Sequence, residues 1–442
     1  MIETIISKIK EFPSEALKNR EKYIIAPEKN FTRKAVLNFY VVTLCINFLL
    51  KKSLAVEFED LFYKLGFDSP IKFHKSSFSR ARVKVNPIFF KDWAEKIWTL
   101  FRTIYKDKLK TWNGFFLVGV DGSKVYLFNN DLLKEKFGTQ TNQFGEKVMA
   151  HIVVAYDVLN DFIIKGNMGS YQVGETTMVM EWLKEMDRLS LMLYDRLFPS
   201  AAFIYVHGVL QINFLMRFKV GFNQVVKDFV ASGQLEAIVS FELTTKSRAT
   251  LKEWGFFPTA EEKSVQVRLI RVVLDNGEIE ILGTSLLDKN LYPAHEFKWL
   301  YSKRWGSETA YDRLKNKFKM EIFSGRTPQS VLQDCFATWF LYNLQSVFIR
   351  SLDEEVQLLN QQAARKRKVQ INRNATLGIL KIYFADLFFK ESDKHLITLL
   401  QAKFMKHLTD DIKGTGQQRP RKKKAKRVLG KHQTYTNYAP AI

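Results

Sequence analysis

Apolar and polar residues follow one pattern at the two ends of this 442-residue chain and another in its middle. Residues 1 to about 105 read as helical, with breaks at Pro13, Pro27 and GFDSP (66–70). From about residue 113 the apolar residues form short runs rich in β-branched and aromatic side chains, the mark of strands. FFLVGVD (115–121), KVYLF (124–128), MAHIVVAYD (149–157) and FIIKGNM (162–168) are such runs. A helix is predicted from Glu175 to Leu189 and a further strand at LSLMLYD (189–195). Strands, a helix and another buried strand predict a mixed α/β fold with the most apolar runs at the sheet centre. Residues 213–290 are expected to form a β-rich block. NFLMRFK, VVKDFV, AIVSFEL, SVQVRLIRVVL and EIEILGTSLL alternate there, and DNG (275–277) predicts a hairpin turn between the last two. From about Ala294 the pattern is helical again, through 291–350 and 351–412.

Composition bears on the partner more than on the fold. The formal charge is +22, and the final stretch, 413–442, carries nine Lys or Arg and no acid. That stretch has no apolar periodicity and is expected to be a basic disordered tail. Without its nine charges the body is still +13, an excess that favours a polyanion, nucleic acid first. Apolar residues make up 46% of the chain, enough to exclude wholesale disorder.

Cys45 and Cys335 are the only cysteines. Both lie in apolar stretches, which argues against a disulfide framework or a zinc site and suits a reducing cytoplasm, next to the nucleoid if DNA is the partner. No signal peptide is visible. The longest apolar run, residues 36–50, is too short for a membrane span of about 20 residues and reads as a buried helix. No membrane partner is expected.

HKSSFSRARVKV (74–85) places Ser76 and Ser77 before Arg80, Arg82 and Lys84. A capped basic helix in a small DNA-binding unit has this form, and so does a basic surface helix in an ordinary bundle.

Four apolar runs end in Asp. Asp275 opens the DNG turn and Asp157 sits in a short polar break, so both have turn roles. Asp121 and Asp195 end more deeply apolar runs, where a carboxylate is costly unless paired or bound to a cation. On neighbouring central strands the two would meet, and a divalent ion would relieve their repulsion. Capping of nearby turns is the plainer alternative.

A third ligand is expected from YSKRWGSETAYDRLK (301–315). At ~100° per residue, Tyr301, Arg304, Glu308 and Lys315 fall within roughly 60° of one another on an α-helix. Arg304 and Glu308 are also an ordinary i,i+4 pair.

Tyr301, Arg304, Glu308 and Lys315 reproduce the Y-(2)-R-(3)-E-(6)-K motif, and the chain resembles DDE transposases of the "insertion sequence four" family. VGVDGSK around Asp121 is similar to that family's first-acid strand, DRLFPS from Asp195 to its second-acid segment, and LGTSLLD with KWLYSKRWGSET to the approach to its third acid. The resemblance covers roughly residues 30–390. It implies a ribonuclease-H-like core in two parts (113–212 and 291–350), with 213–290 as an inserted β-rich subdomain. A helical DNA-binding region (1–105) and C-terminal helices (351–412) would flank that core. The gaps agree: 74 residues separate Asp121 from Asp195, and 113 separate Asp195 from Glu308.

The implied activity is that of a bacterial insertion-sequence transposase. It binds terminal inverted repeats of double-stranded DNA and performs metal-dependent cleavage and strand transfer, as at least a homodimer. Asp121, Asp195 and Glu308 would hold two Mg²⁺ ions, with Mn²⁺ as a substitute. Tyr301, Arg304 and Lys315 would contact phosphates, and Arg80, Arg82 and Lys84 the repeat. The alternatives are a non-mobile metal-dependent nuclease on the same core and a catalytically inactive DNA-binding protein. Two departures stand out. Asp195-Arg196-Leu197-Phe198 replaces the family's Asp-Arg-Gly-Tyr, and the strand EIEILGTSL lacks the Trp that some relatives stack on a flipped base, Trp254 lying elsewhere.

Overall fold

The structure is a computed structural model that describes residues 1–49, 54–64, 75–143, 145–274, 276–362, 367–390 and 394–410. The expected tail at 413–442, the break at 66–70 and Asp275 lie outside these residues. The chain divides by contact into two units. One comprises 109–125 and 150–313; the other comprises 1–108, 126–149 and the chain from Leu314 onward. The helical regions at the two ends of the sequence thus belong to one unit.

The strands are β1 (Phe116–Tyr126), β2 (Thr139–Asn142), β3 (Gly145–Asp157), β4 (Phe162–Ser170), β5 (Ser190–Tyr194), β6 (Asn213–Phe218), β7 (Glu236–Glu242), β8 (Ser264–Val273) and β9 (Ile279–Thr284). All but β2 stand side by side in the order β4-β3-β1-β5-β6-β9-β8-β7, and β2 pairs with the first residues of β3. β3 runs antiparallel to both β4 and β1, whereas β5 and β6 follow β1 in parallel. Three antiparallel strands continued by two parallel ones make the mixed sheet of a ribonuclease-H-like core. β5 is buried along its whole length, as its uninterrupted apolar run requires of a central parallel strand.

Three expectations need correction. FFLVGVD and KVYLF are one strand, β1, because the chain passes through Asp121–Lys124 without turning. VVKDFV lies in a helix, Gln224–Ala231, whose N-terminus is capped by the Asn223 side chain. Its apolar residues Val226 and Phe229 are buried at i,i+3 spacing, so period three rather than two decides. Finally, 213–290 is not a sheet of its own. β6 belongs to the core beside β5, and β9 pairs antiparallel with β6, so the later strands lengthen the same sheet.

The other unit is helical. The helix Pro328–Ser351 is buried on nearly every side. Trp339 is buried within it, and Phe340 packs on Trp93 of the helix Ile88–Ile104, ring centroids 4.2 Å apart. FATWFLYNLQSVFI is therefore core. Cys45 and Cys335 are buried and are not joined in a disulfide. Among the described residues no helix is long and apolar enough to cross a membrane.

Candidate active site

β5 ends beside the middle of β1. Their register pairs Gly119 with Leu193, two residues before Asp121 and Asp195, so Asp121 lies within β1 level with Asp195 just past the end of β5. Leu117, Val118 and Val120 beneath Asp121 are fully buried, as are Leu193 and Tyr194 beneath Asp195.

The helix Trp305–Asp312 lies directly on β1, and small residues let it approach. A Cβ on Gly119 would stand 3.2 Å from Ser307 Cβ, and one on Gly306 3.1 Å from Val158. Tyr311 locks the register, its one hydroxyl hydrogen shared between Asp121 O (2.9 Å) and Ile152 O (3.1 Å). Glu308 is thereby carried to the part of β1 that bears Asp121.

Arg304 is the cation among these acids. Its guanidinium donates from Nη2 to Glu308 Oε1 at 2.7 Å, lies over the Tyr301 and Trp305 rings, and is 8% exposed. Its Nε is buried without a hydrogen-bond partner. Burial works against its charge, but Tyr301, Glu308 and Asp121 outweigh that cost and its pKa is raised.

The acids are displaced the other way. Burial pushes Asp121 up to about 6; Arg304 and the Gly122 N–H oppose this, while Glu175 and Glu308 add to it. Asp195 is likewise raised by burial, opposed by the Leu197 N–H and reinforced by Glu175. The missing Gly after Asp195 does not open the turn: Asp195 Oδ1 accepts from Leu197 N at 2.8 Å, and Phe198 packs on Tyr194. Trp254 ends the helix Thr245–Glu253 and packs edge-on against Phe203.

The single helical stripe expected over 301–315 is broken. One helix ends at Ser302, the next runs Trp305–Asp312, and Arg313–Lys317 form a π turn. Each change of pitch rotates the side chains out of register. Tyr301 and Arg304 stay with Glu308, but Lys315 follows the π turn and pairs with Glu321 at 3.2 Å. Tyr301 is 5% exposed, and burial drives its phenol pKa far up.

The three basic candidates near the N-terminus part company. Arg80 is exposed. Lys84 is half-buried with its ammonium 6.0 Å from the Phe31 ring centre. Arg82 is buried, bonded to Gln333, Ser324, Ser330 O and Asp334. Its expected DNA contact is therefore replaced by an internal one. The helix begins at Lys75, so Ser76 and Ser77 lie in its first turn rather than capping it. Asp157 keeps its turn role, accepting from Leu159 N and Asn160 N.

A model of the "Transposase DDE domain" family matches residues 118–344, just over half of the chain. The chain belongs to that family. Its members are phosphoryl-transfer enzymes acting on DNA, and all three acids and both units' contributions to 118–344 fall inside the match. No curated protein matches the chain. Among solved structures it is similar to piggyBac transposase in a synaptic complex with hairpin DNA, at 9% identity and a TM-score of 0.39, over 90% of this chain and 82% of that one.

DDE-domain chemistry generally involves divalent metal. Among the described residues no three His, Cys, Asp or Glu side chains stand close enough to hold one ion, and Glu308 is turned to Arg304. The donors themselves are carboxylate oxygens at the end of a dry sheet, the chemistry that Mg²⁺ accepts. Two further polar residues beside β1 were not marked by the sequence. Glu175 opens the helix Glu175–Leu183 with its carboxylate against Gly122, and His151 Nε2 on β3 lies 3.1 Å from Glu175 Oε1. In sequence Glu175 is one more acid in a first helical turn, a common dipole partner.

Proposed function

We propose that the chain is a cut-and-paste DNA transposase of the insertion sequence four type, with Asp121, Asp195 and Glu308 as its catalytic acids. The observation that carries this is the register of β1 and β5, which sets Asp121 level with Asp195 on adjacent parallel strands, with the Glu308 helix packed on β1. Asp121, Asp195 and Glu308 would hold Mg²⁺ or Mn²⁺, which would supply activation of a water or DNA 3′-hydroxyl and stabilisation of the leaving oxygen. Asp121 and Asp195 must be ionised to serve as ligands, which their burial resists. Arg304 neutralises the acids in the protein alone and offers its guanidinium to a phosphate when DNA is bound. Tyr301, with its phenol held protonated by burial, supports the Arg304 guanidinium rather than attacking phosphorus. Lys315, Arg80 and Lys84 supply phosphate contacts, and two copies of the chain act on two terminal inverted repeats.

The test uses DNA from the borders of the gene's own element, end-labelled and mixed with a target plasmid, the purified chain and Mn²⁺. Joined plasmid products are expected from the wild type and none from Asp121→Asn, Asp195→Asn or Glu308→Gln. Cleavage without joining would favour a non-mobile nuclease, and full cleavage by all three variants would remove these acids from the site.

A further inference from the structure

A cavity of about 330 Å³ lies among the helices Phe39–Leu49, Pro328–Ser351 and Arg373–Phe389 of the helical unit. Its buried walls are apolar, with Phe48, Phe318, Leu380 and Phe384 among them. One polar group interrupts them. Asn47 is fully buried and lines the cavity, and its Nδ2 donates to Thr43 O at 3.4 Å. A carbonyl oxygen only accepts, so this contact fixes which way round the amide stands. The other amide atom, Oδ1, is buried without a hydrogen-bond partner. An acceptor left so is costly, and an N–H or O–H brought in by a ligand would recover that cost.

Gly378 leaves space beside the same cavity. It lies in the interior of Arg373–Phe389, where glycine is less favourable than alanine. A Cβ on it would meet nothing within 4 Å, and its backbone is not left-handed. Neither a close neighbour nor the chain path therefore requires glycine there. Charge narrows the class of ligand. Lys317, Lys319 and Lys381 line the cavity, and no acid is among the described residues that do. Lys381 is paired with the buried Glu57 at 2.8 Å, whereas Lys317 and Lys319 are exposed.

We propose that this cavity binds a small amphipathic anion. Its aromatic or aliphatic body lies against Phe48, Phe318 and Phe384, an N–H or O–H donates to Asn47 Oδ1, and its acidic group faces Lys317 and Lys319. Small-ligand sites are typically apolar hollows of ~300–1,000 Å³ with a few polar groups that orient the ligand. A DNA duplex is too wide and too polar for this one, so the site is separate from the reaction on DNA.

Anilinonaphthalene sulfonate is a probe with all three features: an aromatic body, one N–H and a sulfonate. Phenylnaphthylamine has the same body and N–H without the charge. Fluorescence titration of the full chain should show one saturable sulfonate site per chain. Gly378→Leu fills the open space and should weaken it at least ~10-fold. Asn47→Leu removes the acceptor and should weaken both probes ~3-fold or more. Lys317→Gln combined with Lys319→Gln should weaken the sulfonate ~2–5-fold and leave the neutral probe unchanged. Gly378→Leu, whose side chain enters free space, decides the matter if Asn47→Leu fails to fold. No saturable binding, or binding unchanged in Gly378→Leu as adsorption to cations elsewhere would give, overturns the site. Sulfonate binding unchanged in Asn47→Leu, or no tighter than that of the neutral probe, overturns the assigned class of ligand.

Discussion

Replacing Asp121 by Asn removes a charge that the fold holds at a cost. An aspartate titrates near 3.9 in an unfolded chain, and burial raises Asp121 to about 6. Each pH unit of displacement corresponds to ~1.4 kcal/mol, so the folded protein with Asp121 ionised is less stable by about 3 kcal/mol than its carboxyl's ordinary acidity would give. The sign follows from proton binding. Because the folded pKa is the higher one, the folded state holds the proton more tightly; the penalty is absent below about pH 4, grows between about 4 and 6, and is complete above 6. Asn is neutral, and its amide oxygen keeps the acceptor for the Gly122 N–H. Asp121→Asn should therefore be more stable than wild type by about 2–3 kcal/mol at pH 8 and equal to it near pH 4. Urea unfolding in EDTA at pH 4.5, 6 and 8 measures this. Adding Mn²⁺ at pH 8 should narrow the gap, since an ion at 100 times its Kd stabilises the wild type by about 2.7 kcal/mol. A variant less stable than wild type at pH 8, or a gain that does not change with pH, would refute the argument that desolvation dominates at Asp121.

Other substitutions separate scaffold from chemistry. Tyr311→Phe removes the hydroxyl bonded to Asp121 O and Ile152 O; urea unfolding should show a loss of about 1–3 kcal/mol, with slower DNA cleavage as the Glu308 helix loosens. Arg82→Ala leaves Asp334 buried without its cation and should cost about 3–5 kcal/mol, whereas Arg80→Ala should leave stability unchanged and lower the salt slope of DNA binding by about 1. A stable Arg82→Ala protein with impaired DNA binding would contradict the internal role assigned to Arg82.

Much of the site was legible because its signals are local. The apolar runs ending in Asp121 and Asp195 mark buried strands, since only a covered strand tolerates continuous apolar sequence. The spacing from Tyr301 to Glu308 reflects helical side-chain geometry, and Gly119 and Gly306 are visible as small residues. The helix Gln224–Ala231 was misjudged because six residues of mixed pattern fit both periods until packing chooses one.

Sequence by itself thus determined the mixed α/β class, the order of three acids and the basic character of the chain, because composition and periodicity follow from single residues and their near neighbours. Tertiary structure alone decided that β1 and β5 are neighbours, that Arg82 faces Asp334 across 252 positions rather than solvent, and that Glu175 meets His151 beside Gly122. These depend on where distant segments meet, and burial, hydrogen-bond partners and charge proximity are properties of that meeting rather than of any stretch of chain.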